Sequence, residues 1–174
     1  SAWTNDATAG ITGDWNFKSA ANLGSGNAVI NGVTFVGAGV VANPSGTNYT
    51  TAGLGNVFTG DTNNLTGGGG GSAVLANAFN YGGPTETVTF SGLVIGRQYV
   101  ANFYSVAFET GVRNQTISDG VGGTTTINQD LFNDNNGLRL TYTYTATATT
   151  RAFTFTAQGA GSWHNYGFAN RQDF

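Results

Sequence analysis

Residues 138–147, LRLTYTYTAT, decide the fold class. Leu138, Leu140, Tyr142, Tyr144 and Ala146 fall on one side of an extended chain, and Arg139, Thr141, Thr143, Thr145 and Thr147 fall on the other. That period of two suits a half-buried strand and no helix. Beyond a polar turn at Thr149 to Arg151, Phe153 and Phe155 alternate with Thr154 and Thr156. The sequence therefore predicts a second strand paired antiparallel with the first.

Working outward, Val88 and Phe90 alternate within residues 85–90, GLVIGRQY (residues 92–99) supplies a glycine-bounded reversal, and residues 99–108 continue as an aromatic strand. This reads as a hairpin. Further strands are expected over residues 29–41, 73–79, 115–118, 124–128 and 163–168. Helix signals are nearly absent: Met is missing, and too few charges exist for i,i+4 pairs. Short strands separated by Gly, Asn and Asp turns, with one apolar and one threonine-rich face, predict an all-β antiparallel β-sandwich or jelly roll. One domain is expected over residues 1–174. The glycine run at residues 67–71 lacks the Lys-Ser/Thr of a phosphate-binding loop and reads as a surface loop.

Composition narrows the chemistry. Gly, Thr and Asn number 28, 26 and 20 of 174 residues, the material of turns and polar strand faces. Cys is absent, which removes disulfides, zinc-thiolate sites, iron–sulfur clusters and thiol nucleophiles. Lys18 is the only lysine, and the five arginines are scattered in a chain of net charge −3. Nucleic acid and anionic membranes are therefore not expected as partners. With 12 Phe, 7 Tyr and 3 Trp the chain has ample apolar area for a core. The acidic, lysine-poor composition points to secretion.

The catalytic inventory is short. A single histidine, His164, excludes metal sites built on two or three histidines, and no G-x-S-x-G elbow surrounds a serine. The remaining enzymatic option is a carboxylate pair of the kind that hydrolyses glycosides, and Glu86 and Glu109 are the only glutamates. Both also read as surface carboxylates at strand ends, Glu109 within reach of Arg113.

Binding chemistry is better supplied. Sugars offer apolar C–H faces to aromatic rings and hydroxyls to planar polar groups. Trp163, His164, Asn165 and Tyr166 are consecutive. In a strand they alternate, so His164, Tyr166 and Phe168 point one way and Trp163 the other. Trp163 is then the candidate exposed platform, core packing being its alternative, with His164 and Tyr166 lining a loop-end pocket; a lone histidine near a strand start is otherwise a hydrogen-bonded structural residue. Glu109, Arg113 and Asn114 form a second polar group, and Tyr81, in FNYGGP, is a further exposed aromatic candidate. Trp3 and Trp15 are each a platform or a cover for the sandwich edge. Asp130 and Asp134, in an oxygen-rich loop ending at Gly137, and Asp119 are candidate calcium ligands, though such residues also simply make turns.

The runs TVTFSGLVIGRQYVANFYSVAFETGVRNQTISDG (residues 87–120), NNGLRLTYTYTATATTRAFTFTA (135–157) and SWHNYGFANR (162–171) resemble jelly-roll, galactose-binding-like carbohydrate-binding modules appended to secreted bacterial polysaccharide-degrading enzymes. The resemblance spans about half the chain. It implies non-catalytic binding of a polysaccharide, a structural calcium and a covalently attached catalytic domain. The expectation is recognition of a plant-type β-glycan such as β-glucan, xylan or mannan through Trp163, His164, Tyr166, Arg113, Glu109, Asn114 and Tyr81. A small hydrolase using Glu86 and Glu109, and a cell-surface adhesion domain, are the alternatives.

Overall fold

A computed structural model of the chain describes residues 1–13, 16–61, 65, 68–107, 111–159 and 161–173. Seven strands form one sheet in the order β1 (Ala2–Trp3), β12 (Gly137–Thr145), β9 (Gln98–Val106), β14 (Gly167–Gln172), β2 (Phe17–Asn22), β4 (Val33–Gly37) and β3 (Ala28–Ile30). Five more form the facing sheet: β11 (Thr124–Asn128), β10 (Asn114–Ser118), β13 (Arg151–Ala157), β8 (Thr85–Phe90) and β5 (Tyr49–Ala52). A separate ribbon pairs β6 (Asn56–Thr59) with β7 (Ala78–Tyr81), and one short helix, α1, covers Gly70–Leu75. Pairing is antiparallel except between β2 and β4. The β-sandwich expected from the sequence is the fold. No helix among the described residues is long and apolar enough to cross a membrane.

The alternation over 138–147 holds as read. Leu138, Tyr144 and Ala146 are buried and Leu140 and Tyr142 pack against the same cluster, while Thr141, Thr143 and Thr145 are exposed. The pairing expected for this segment does not hold. β12 pairs with β9 and β1, whereas β13 pairs with β8 and β10 in the opposite sheet. The segment between β8 and β9 likewise crosses from one sheet to the other. Both reversals are arches over the sandwich rather than hairpins within a sheet. The aromatic rings explain why: Phe90 meets Phe103 at 5.9 Å and Tyr144 meets Phe153 at 5.7 Å across the core, contacts made only if each pair of strands faces across the gap.

A second difference concerns the outer face of the larger sheet. Along β9, Tyr99, Ala101 and Phe103 enter the inter-sheet core, while Tyr104 and Val106 join a second cluster with Trp3, Ile11, Phe35, Leu75, Phe79 and Tyr166. The seven-stranded sheet is thus covered on both sides. Trp3, fully buried, is a cover, and its indole N–H donates to Ser72 Oγ. Trp15 lies outside the described residues.

The covering layer also corrects the strand expected over residues 73–79, which is split between the end of α1 and the start of β7. The described part of the glycine run opens that helix: a Cβ on Gly71 would lie 2.1 Å from the Val29 carbonyl oxygen, so only glycine lets α1 rest on β3. The Asp6 carboxylate accepts the Gly71 and Ser72 N–H groups at the start of this helix.

Trp163 is 1% exposed and stacks on Phe155, centroids 4.7 Å apart. We expect Trp163→Ala to lower unfolding free energy by about 3–5 kcal/mol in urea denaturation, and Thr143→Ala, on the solvent face of β12, to change it by less than about 0.5 kcal/mol. Equal effects of the two would contradict the assigned packing.

Candidate functional site

Residues singled out along the sequence meet at one end of the sandwich, though not in the expected roles. Trp163 belongs to the inter-sheet core and cannot serve as an exposed platform. The alternation assumed over 163–168 fails because β14 begins only at Gly167 and the preceding residues are irregular, with an isolated bridge between Asn80 and Asn165. Trp163 and Phe168 consequently share one core, and Tyr166 enters the other. Tyr166 is fully buried and donates its hydroxyl to Asp61, so it lines no open pocket.

His164 is buried between these layers. Its ring stacks on Phe79 at 4.2 Å and meets Tyr81 edge-on at 6.0 Å. Arg113 Nη2 lies 3.1 Å from His164 Nε2 and donates to the Ser162 carbonyl at 3.2 Å. A guanidinium only donates, so Nε2 accepts and the ring proton sits on Nδ1, consistent with a hydrogen bond from the ring to the Val106 backbone. Burial and the Arg113 charge push the imidazole down to about 3. His164 is therefore neutral at ordinary pH and is a fixed acceptor for Arg113.

In front of this pair lies a shallow depression of about 300 Å³ lined by Tyr81, Gly82, Gly83, Pro84, Ala157, Gly159, Gly161 and Ser162. Tyr81, half-buried at the end of β7, is its only aromatic among the described lining residues. Gln115 Nε2 donates to the Gly161 carbonyl at 2.9 Å and, with Arg113, fastens the 161–162 segment. Asn114 takes part through its backbone, its carbonyl accepting Gln158 N–H. Gly82, Gly83, Pro84, Gln115 and Ser162 were missed along the sequence. A surface made of turn backbone carries no residue-type signature, and FNYGGP signalled only a turn beside a ring. Larger grooves exist, such as one of about 380 Å³ at the seam of β2 and β4, but none of the singled-out residues lines it.

Glu86 sits behind the depression. It points inward beside Phe155, is 1% exposed, and accepts the Gly82 N–H at 3.0 Å. Burial pushes its carboxyl up to about 9, against a smaller downward pull from that N–H. It is a neutral acid out of reach of a ligand in the depression. Its suggested hydrolytic partner, Glu109, lies outside the described residues, and Arg113 engages His164 and Ser162.

The three aspartates named for calcium do not form one set. Asp119, at the β10–β11 turn, accepts from the Tyr142 hydroxyl and from the N–H groups of Val121 and Gly123, with Arg151 at 3.6 Å; these hold its carboxyl below the usual range. Asp130 lies past the other end of that hairpin, beyond the full length of β11. Its Oδ2 accepts Gly111 N–H and its Oδ1 is buried without a partner. No group of three or more His, Asp or Glu side chains converges among the described residues. Calcium takes six to eight oxygens around one ion, and Asp119 and Asp130, at opposite ends of the β10–β11 hairpin, cannot serve one such site together.

No protein-family model matches this chain, and no curated protein does. Solved structures share its fold. The calcium-binding mutant of Bacteroides uniformis β-glucuronidase 2 overlays with a TM-score of 0.69 at 15% identity, over 90% of this chain and 18% of that one. The ANXUR1 extracellular domain from Arabidopsis thaliana overlays at 0.59 with 9% identity, over 91% of this chain and 49% of that one. CBM35 from Cellvibrio japonicus Abf62 overlays at 0.44 with 13% identity, over 67% and 81%. The chain thus spans under a fifth of the glucuronidase and about half of the ANXUR1 domain.

The two neutral buried groups set opposite pH slopes. Unfolded His164 takes up a proton below its ordinary 6.5 while the folded ring resists until about 3, so stability falls on acidification through that window. Unfolded Glu86 loses its proton above 4.5 while the folded acid keeps it to about 9, so stability also falls as pH rises through that range. We expect a plateau in melting temperature between pH 4.5 and 6.5, where the two slopes cancel. Glu86→Gln should remove the decline on the alkaline side, which otherwise approaches about 1.4 kcal/mol per pH unit. An unchanged alkaline decline in that variant would contradict the assignment.

Proposed function

We propose that the chain is a non-catalytic glycan-binding module that holds a polysaccharide, of the class of β-glucan, xylan or mannan, in the depression beside Tyr81. The observation that carries this reading is the pairing of one half-exposed aromatic ring with a trough of glycine, alanine, proline and serine. A pyranose presents a C–H face that stacks on such a ring, and its hydroxyls find backbone N–H and C=O groups along the trough. Residues without bulk let the sugar approach the main chain. Arg113, held behind Ser162 by His164, fixes one wall of the trough. The shallow, open form suits a stretch of chain laid across it.

The structural likeness to less than a fifth of a β-glucuronidase chain is in keeping with a module attached to a larger glycan-active protein. A tethered catalytic domain and a secreted location belong to this proposal. In it Tyr81 takes the stacking role expected of Trp163, with contacts from Ser162 and the Gly82–Pro84 turn, while Arg113 and His164 support the wall from behind.

Affinity electrophoresis in gels containing β-glucan, xylan or mannan tests the reading. We expect the wild-type chain to be retarded by at least one of these, and Tyr81→Ala to weaken binding about tenfold or more, equivalent to about 1.4 kcal/mol, while circular dichroism shows it still folded at the temperature of the gel. Full retardation of Tyr81→Ala would remove the platform assignment. Free migration of the wild type in all three gels would remove the glycan reading itself.

A further inference from the structure

We infer that Glu86 is a positioning residue: as a protonated acid it holds the Gly82–Pro84 turn in its binding shape, so that ionising it releases the turn and weakens the site. This rests on the glycan-binding reading for its consequence, but its geometry stands apart from it.

The turn is clamped from two directions. Gly82 N–H donates to Glu86 Oε1 at 3.0 Å, and Gly83 N–H donates to the Gly53 carbonyl at 3.3 Å. Gly82 is wedged against the 53–55 turn so closely that a Cβ on it would lie 2.0 Å from the Gly53 carbonyl oxygen. Behind the clamp, Glu86 Oε2 is buried and has no hydrogen-bond partner. With Oε1 accepting from Gly82, Oε2 is where the carboxyl proton resides.

Among the described residues, no charged side chain is placed to stabilise the ionised form. Around the carboxyl, β13 brings Phe155, directly across from Glu86, and Ala157 beyond it; the 53–55 turn brings Gly53; and the 82–84 turn brings only the Gly82 N–H. Trp163 stacks on Phe155. Of the titratable groups at this end, Tyr81 precedes Gly82 and packs on Phe79 and His164, while Arg113 and His164 are engaged with each other behind Ser162; the Glu86 carboxyl responds first to burial and second to the Gly82 N–H. An anion here keeps the Gly82 N–H at Oε1 but has no partner at Oε2, so the rest of its relief comes from water, which reaches Oε2 only if the turn moves aside. Burial pushes the acid up to about 9, so the switch lies on the alkaline side of neutrality.

The composition makes the test direct, because the chain has two glutamates and two prolines. In ¹³C spectra of the free protein, we expect the Glu86 carboxyl resonance, identified by its loss in Glu86→Gln, to remain at its protonated position through pH 7 and to titrate near pH 9. The Pro84 ring resonances should shift with the same midpoint in the wild type and stay flat in Glu86→Gln. A carboxyl already ionised at pH 7, or Pro84 shifts that persist unchanged in Glu86→Gln, would overturn the inference whether or not any glycan binds.

Binding then reads the consequence. At pH 10 about a tenth of wild-type molecules keep the proton, so apparent affinity in the gels should fall about tenfold from its value at pH 7. Glu86→Gln should lose clearly less affinity than the wild type between the two values, and Glu86→Leu, which leaves Gly82 without its acceptor, should bind weakly at both. An equal alkaline loss in wild type and Glu86→Gln would overturn the coupling. Absence of retardation at every pH would instead count against the glycan reading, leaving the carboxyl and Pro84 titrations to decide the role of Glu86.

Discussion

The structure depends on the double burial of β9. Every residue of this strand after Gln98 is buried: Tyr99, Ala101 and Phe103 pack against the five-stranded sheet, and Tyr104 and Val106 against the layer of Trp3, Phe35 and α1. A strand covered on both faces fixes its neighbours from two sides, because a register slip of one residue would exchange the contents of two cores. The pairing of β9 with β12 and β14 is therefore held from both faces at once. That matters at the far end of the molecule, where β14 leaves the sheet and the irregular segment before it carries Trp163, His164 and Tyr166 into three different environments.

Some of this was legible in the sequence and some was not, for physical reasons. The alternation of Leu138 to Ala146 reports one-sided burial and survives intact. The run YVANFYSV in β9 is buried throughout, a pattern of two-sided burial rather than of a sandwich strand with one wet face; reading it that way would have announced the second layer. The two misread hairpins share one cause. Period and turn composition say that the chain reverses, but they do not say whether the returning strand lies beside its predecessor or across the core from it. Only the aromatic contacts between Phe90 and Phe103, and between Tyr144 and Phe153, distinguish the two. Trp163 was misplaced because the alternation argument presupposed a strand where the chain is irregular.

The candidate site was legible as a neighbourhood, since Tyr81, Arg113 and His164 do converge. Its composition was not. Residue-type reasoning looks for charged and aromatic side chains, and here those groups are mostly internal scaffolding: Arg113 and His164 brace one another, Tyr166 bonds Asp61, and Glu86 bonds Gly82. What the depression exposes is one ring and the backbone of turns. The Gly, Ser and Pro content that reads as generic loop material is itself the surface.

Burying an imidazole and a carboxyl in the same sandwich has a cost that neutral side chains of similar shape would avoid. Both are kept uncharged, and each serves a backbone or guanidinium partner that an apolar residue would leave unsatisfied. His164 offers Arg113 an acceptor without a second charge, so the guanidinium remains free to fix the Ser162 carbonyl. Glu86 offers Gly82 an acceptor in a space too tight for a side chain on Gly82 itself. The polar groups that looked like candidates for chemistry thus act one step behind the surface, giving rigidity to a trough whose own residues could not supply it. For the proposed glycan site that rigidity is the point, because a flexible glycine turn would lose on ordering much of the free energy gained on contact.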